Sequence, residues 1–94
     1  MDLKNKALFK ENCFVNGEFI DSNDSSKIEV NNPANLKILG TVPNCGVNET
    51  KTAIEAASKA FDSWKMKTAK ERSILIKKWA QLIEENADDL AKIM

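Results

Sequence analysis

Two hydrophobic periodicities run along this chain, and they change over near residue 47. Before it, apolar residues form short runs or alternate with polar ones; after it, they recur three and four apart. All three glycines (Gly17, Gly40, Gly46) and both prolines (Pro33, Pro43) lie in the first half. Residues 1–12 read as a flexible lead with at most one weak helical turn near Leu8 and Phe9. Residues 13–43 read as a small antiparallel β-meander. In it, Asn16-Gly17 joins Cys13-Phe14-Val15 to Glu18-Phe19-Ile20, and an Asn-Gly pair between apolar runs is a strong hairpin signal. Asp21 to Ser26 is a polar loop. Lys27 to Val30 alternates as a strand, and Asn31 to Asn35 is a turn around Pro33. Lys37 to Val42 is a fourth strand, stopped by Pro43.

Residues 48–94 read as the helical part. Asn48 suits an N-cap, with Glu49 in the first turn. Ala53, Ile54, Ala57, Ala60, Phe61 and Trp64 follow at helical spacing. Thr68-Ala69-Lys70-Glu71 has the spacing of a capping box. Leu75, Trp79, Leu82 and Ile83 form the stripe of a second helix, widened by Ile74 and Ile76. Asn86 is the expected cap of a third helix, with Asp88 and Asp89 in its first turn and Leu90, Ile93 and Met94 on its apolar face. That helix shows neither Gly nor Pro after its apolar face. Together with the wide stripe, this predicts an α+β fragment whose apolar surfaces are covered by more of a larger protein.

Composition narrows the chemistry. The chain has 94 residues, 14 basic and 14 acidic side chains and no histidine. One domain at most fits this length. Without histidine, Ser-His-Asp and Cys-His arrangements and His-ligated metal sites are excluded. Zero net charge argues against nucleic acid as a partner. No run approaches a membrane span, and the first residues carry no signal-peptide core, so neither membrane nor export is expected. Cys13 and Cys45 are 32 positions apart and form no CxxC pair. They read as incidental thiols in a reducing cytoplasm, without an activating neighbourhood.

The search for a site is negative. There is no GxGxxG and no GxxxxGK[ST]. Asp88-Asp89 reads as helix-dipole acids and Glu84-Glu85 as a solvated face. Trp64 and Trp79 read as core anchors. Lys65, Lys67, Lys70, Arg72 and Lys77-Lys78 are interleaved with Glu71 and followed by Glu84-Glu85, and read as a solvated face rather than a phosphate patch.

Taken together, several segments resemble the opening of an aldehyde dehydrogenase. These are Phe14 to Ile20, Asn32-Pro33-Ala34-Asn35, and Ile38-Leu39-Gly40-Thr41-Val42-Pro43. The helical part adds Ala56-Ala57, Ala60-Phe61, Ser63-Trp64, Thr68 to Arg72, Ile74-Leu75, Lys78-Trp79, Leu82-Ile83 and Asp88-Asp89-Leu90-Ala91. The second set is similar to the bacterial succinate-semialdehyde dehydrogenase branch, which acts in 4-aminobutyrate degradation. The resemblance implies the N-terminal part of an α/β enzyme that uses NAD or NADP to oxidise an aldehyde to an acid. In such enzymes a cysteine thiolate attacks the aldehyde, hydride leaves to the nicotinamide, and a glutamate activates water to hydrolyse the thioester. Those groups lie downstream of the matching stretch. Neither Cys13 nor Cys45 stands in the family's catalytic motif, so no catalytic, cofactor or metal residue is assigned here, and the fragment alone is expected to bind no cofactor and to be inactive. Some members bind a monovalent cation through main-chain oxygens at positions matching Val30 and Asn31. Many members also have glycine after the Asn-Pro pair. Leu36 and Lys37 stand there instead, which assigns any left-handed position to Asn35. The implied partners are the remainder of the parent enzyme and further copies of it. The other open class is an autonomous module whose apolar helix face docks a partner protein.

Overall fold

A computed structural model describes residues 1–94. The chain divides into two units, residues 11–60 and residues 1–10 with 61–94.

In residues 11–60 the Asn-Gly signal produces a hairpin. Strand β1 (Cys13–Val15) pairs antiparallel with β2 (Glu18–Ile20), with Cys13 opposite Ile20 and Val15 opposite Glu18. Asn16 (φ 52°) and Gly17 (φ 78°) both take the left-handed region that a type I′ turn requires. Phe14 and Phe19 sit opposite each other with ring centroids 5.1 Å apart and planes tilted by 56°.

Strand β3 (Lys27–Asn31) pairs with β4 (Ile38–Pro43) in a second antiparallel ladder, with a register irregularity between Val30 and Asn31. The β-half is therefore two separate two-stranded sheets and not a continuous meander. The polar loop explains the break. Ser22 Oγ donates to the Ser26 carbonyl, the Ser25 N–H to the Ser22 carbonyl, and the Ser26 N–H to Asp24. The loop is folded on itself, and β2 does not continue into a ladder with β3. Glu11 reaches across instead and accepts the Thr41 N–H of β4 at 2.8 Å.

The turn between β3 and β4 corrects the expectation for Asn35. Leu36, not Asn35, holds the left-handed conformation, at φ 59°. Asn35 uses its side chain to accept the Lys37 N–H, an Asx turn. The Asn32 carbonyl accepts from both Asn35 and Leu36. With those bonds made, the reversal falls to Leu36, whose side chain points into solvent.

Helix α1 (Val47–Met66) begins one residue before the expected cap. The Gly46 carbonyl accepts the Thr50 N–H, so Gly46 holds the cap position and Asn48 lies inside the first turn.

In the other unit, α2 (Ala69–Glu85) starts at the expected capping box. Thr68 Oγ1 accepts the Glu71 N–H at 3.2 Å, and Glu71 accepts the Thr68 N–H at 2.8 Å. Helix α3 (Ala87–Ile93) follows immediately. Asn86 is its N-cap by position, but its side chain donates backwards to the Leu82 carbonyl, closing α2 instead. Of residues 1–12, expected to be a flexible lead, residues 2–5 are tied down. Their one helical feature is a 3-10 turn at Lys6–Leu8. Asp89 on α3 accepts the N–H groups of Lys4 and Asn5, Lys92 donates to the Asp2 carbonyl, and Leu3 is buried.

Leu3 and Pro43 are the only buried apolar side chains. Trp64 is half-buried, but Trp79 is 67% exposed, so its reading as a core anchor does not hold within this chain. Its helical stripe is formed as expected; no partner within the chain covers it.

Candidate functional site

The most concentrated polar geometry lies at the start of α1. Glu49 stands in the first turn because the helix starts at Val47. Its carboxylate turns back, accepting the Gly46 N–H at 2.8 Å and the Asn23 N–H at 2.7 Å. The Asn23 N–H, the Glu49 N–H and the Gly46 N–H together hold this carboxyl below its ordinary pKa of 4.5. A cavity of about 360 Å³ lies here, lined by Asn23, Asp24, Asn44, Cys45, Gly46 and Glu49 among others.

Beside Glu49, the fold joins two residues that the sequence left apart. Cys45 Sγ lies 3.8 Å from Cys13 Sγ, and both residues are half-buried. Burial raises the Cys45 thiol above its ordinary pKa of 9.0; Cys13, Glu49 and Asp24 push in the same direction. A thiol held neutral in this way is not an activated nucleophile. The spacing of 32 residues carried no signal of the meeting, because it depends on how β1 and the segment before α1 pack.

The remaining candidates stay apart. Asp88 meets Lys4 at 3.0 Å in solvent, and Asp89 clamps the chain start. Asn5 and Lys4 N–H donation holds the Asp89 carboxyl below its ordinary 3.8. Glu85 accepts from Gln81. Lys65 pairs with Asp62 and lies 5.3 Å from the Phe61 ring centre, as a solvated face does. Trp64 lines a hollow with Arg72, Ser73 and Ile76, where the Arg72 Nε is buried without a hydrogen-bond partner. Val30 and Asn31 sit in β3 opposite Gly40 and Ile38.

These residues do not fit a nicotinamide dinucleotide. A pyrophosphate needs free N–H groups at a glycine-rich turn or helix start. Here Glu49 occupies the start of α1, Glu71 that of α2, and Asp88 and Asp89 lie in the first turn of α3. Each helix start already carries its own carboxylate.

Comparison with known proteins supplies what the local chemistry does not. The model of the aldehyde dehydrogenase family matches residues 19–94. A glutarate-semialdehyde dehydrogenase from Pseudomonas putida is 47% identical over all 94 residues. The NADP(+) succinate-semialdehyde dehydrogenase of Escherichia coli is 44% identical over the same length. This chain spans about a fifth of the length of each. The crystal structure of a succinate-semialdehyde dehydrogenase from Burkholderia pseudomallei superposes with a TM-score of 0.96 at 41% identity, covering 99% of this chain and 19% of that one. The two small sheets and three helices match the N-terminal part of such structures.

Proposed function

The chain belongs to the aldehyde dehydrogenase family, and from that premise we propose that it is scaffold for the NAD(P)-dependent oxidation of succinate semialdehyde to succinate. The observation that carries this reading is the high identity, over all 94 residues, to enzymes named for the semialdehydes of short dicarboxylic acids. The substrate class is then an aldehyde with a carboxylate at its far end. Glutarate semialdehyde, one carbon longer, is the second reading, because relatives named for it match this chain equally well.

Within that reading this chain performs no chemical step. Its buried carboxylates, Glu49 and Asp89, accept backbone N–H groups, and its two thiols lie against each other. Its part is to present apolar helix faces. Phe61, Ile74, Trp79 and Leu82 would pack against further parts of the enzyme or against another copy of it. No helix is long and apolar enough to cross a membrane.

The test is reduced-nicotinamide absorbance with the intact protein that carries this chain. Succinate semialdehyde, glutarate semialdehyde and an uncharged aldehyde are compared, each with NAD+ and NADP+. The expected result is a higher kcat/KM for succinate semialdehyde than for the uncharged aldehyde. Preference for the five-carbon substrate selects the second reading, and turnover by residues 1–94 alone overturns the scaffold role.

A further inference from the structure

We propose that Cys13 and Cys45 are a modification site: a dithiol pair that a hydroperoxide closes into an intramolecular disulfide. The reading rests on where the fold puts the two sulfurs. Cys13 is the first residue of β1 and is fixed by pairing with Ile20. Cys45 lies between two residues held by bonds of their own. The Asn44 N–H donates to the Ser26 carbonyl at 2.8 Å, and the Gly46 N–H to Glu49 at 2.8 Å. The 3.8 Å sulfur separation is therefore imposed from both sides by backbone hydrogen bonds. Bond formation requires the sulfurs to close by about 2 Å.

Access is also present. Cys45 lines the cavity at the start of α1, which is large enough for a small peroxide.

The chemistry balances with the hydroperoxide as oxidant. One sulfur attacks the outer peroxide oxygen as its proton leaves, and the O–O bond breaks. This leaves a sulfenic acid on sulfur and releases an alcohol, or water from hydrogen peroxide, which takes up the thiol proton. The second thiol attacks the sulfenyl sulfur, the S–S bond forms, and the hydroxyl leaves as water with the second thiol proton. Both sulfurs are oxidised, the peroxide is reduced, and a dithiol reductant reverses the result. The bond would join the β1–β2 hairpin to the segment leading into α1.

Trypsin separates the two cysteines into peptides 11–27 and 38–51. The intact protein is treated with hydrogen peroxide, its remaining thiols are alkylated, and it is digested without reductant. The expected product is peptide 11–27 joined to peptide 38–51, lighter than their sum by two hydrogens, found in protein of monomer mass and lost on treatment with dithiothreitol. Its yield should fall severalfold when the protein is unfolded in urea before oxidation. Recovery of both peptides separately, as alkylated or sulfonic forms, overturns the proposal. Linkage only between two copies, or an equal yield from the unfolded chain, overturns it as well.

Discussion

Glu49 and Asp89 carry more of this structure than their first-turn positions suggest. Each is buried, and each accepts two backbone N–H groups, with Glu49 holding Gly46 and Asn23 and Asp89 holding Lys4 and Asn5. A carboxylate bound in this way favours its charged form, so its folded pKa lies below its unfolded one. Its contribution to stability is complete above the unfolded value, 4.5 for Glu49, and is lost as pH falls from there through the folded value. Glu49→Gln should therefore lower the urea midpoint at neutral pH. The gap from wild type should shrink as the buffer is taken to about pH 3; a gap independent of pH would show that the charge contributes nothing. Leu36 offers the opposite sign. A left-handed conformation costs an L-residue about 1–2 kcal/mol. Its side chain is 75% exposed, so little packing is lost on truncation. Leu36→Gly should raise stability by about 0.5 kcal/mol after the backbone entropy of glycine is subtracted. Denaturant titration of the pair decides it.

At the scale of elements, the best-supported boundary is the start of α2. Thr68 and Glu71 exchange hydrogen bonds with each other's backbone, and both are local in sequence. Thr68→Ala should destabilise by about 1 kcal/mol, read as a lower denaturation midpoint. Thr68→Ser should restore most of it, since a serine hydroxyl makes the same bond. Asn86 behaves differently. It stands between α2 and α3, and its side chain serves the carbonyl behind it and leaves the amides ahead alone. The acids of α3 are drawn instead toward the chain start, where Asp89 meets backbone more than eighty residues away in sequence. Sequence position identified the cap residue, and only the packed chain shows which helix it serves.

For the molecule as a whole, the distribution of apolar surface sets the behaviour. Leu3 is buried, while Phe61, Ile74, Ile76, Trp79, Leu82 and Ile83 are open to solvent. Covering one such side chain is worth about 1.5–3 kcal/mol, so a second surface laid on α2 gains substantially. Residues 1–94 prepared alone should self-associate, with an apparent mass in light scattering that rises with concentration. Trp79→Glu keeps a good helix former at that position and should shift the distribution toward monomer. A monodisperse monomer of the parent chain at high concentration would refute this.

What the sequence determined by itself is what depends on neighbours along the chain. The Asn16-Gly17 turn with its two flanking strands, the Thr68–Glu71 box and the stripe on α2 are all set within one or two turns of backbone, whereas β3 runs on to Asn31 and β4 takes in Pro43, which was expected to stop it. Steric limits on φ and the pitch of the helix act at that range. The kinship of the chain was legible for the same reason, since it rests on such segments in order. Tertiary structure decided the rest. Folding of the loop from Asp21 to Ser26 onto itself split the expected meander into two sheets. Competition between Asn35's side-chain bond and the chain reversal moved the left-handed residue to Leu36. Packing brought Cys13 to Cys45 and the first residues to Asp89, across separations where periodicity carries no information. Trp79 is exposed because an apolar stripe states only that a surface requires covering; whether the chain itself supplies the cover is a property of the packed molecule.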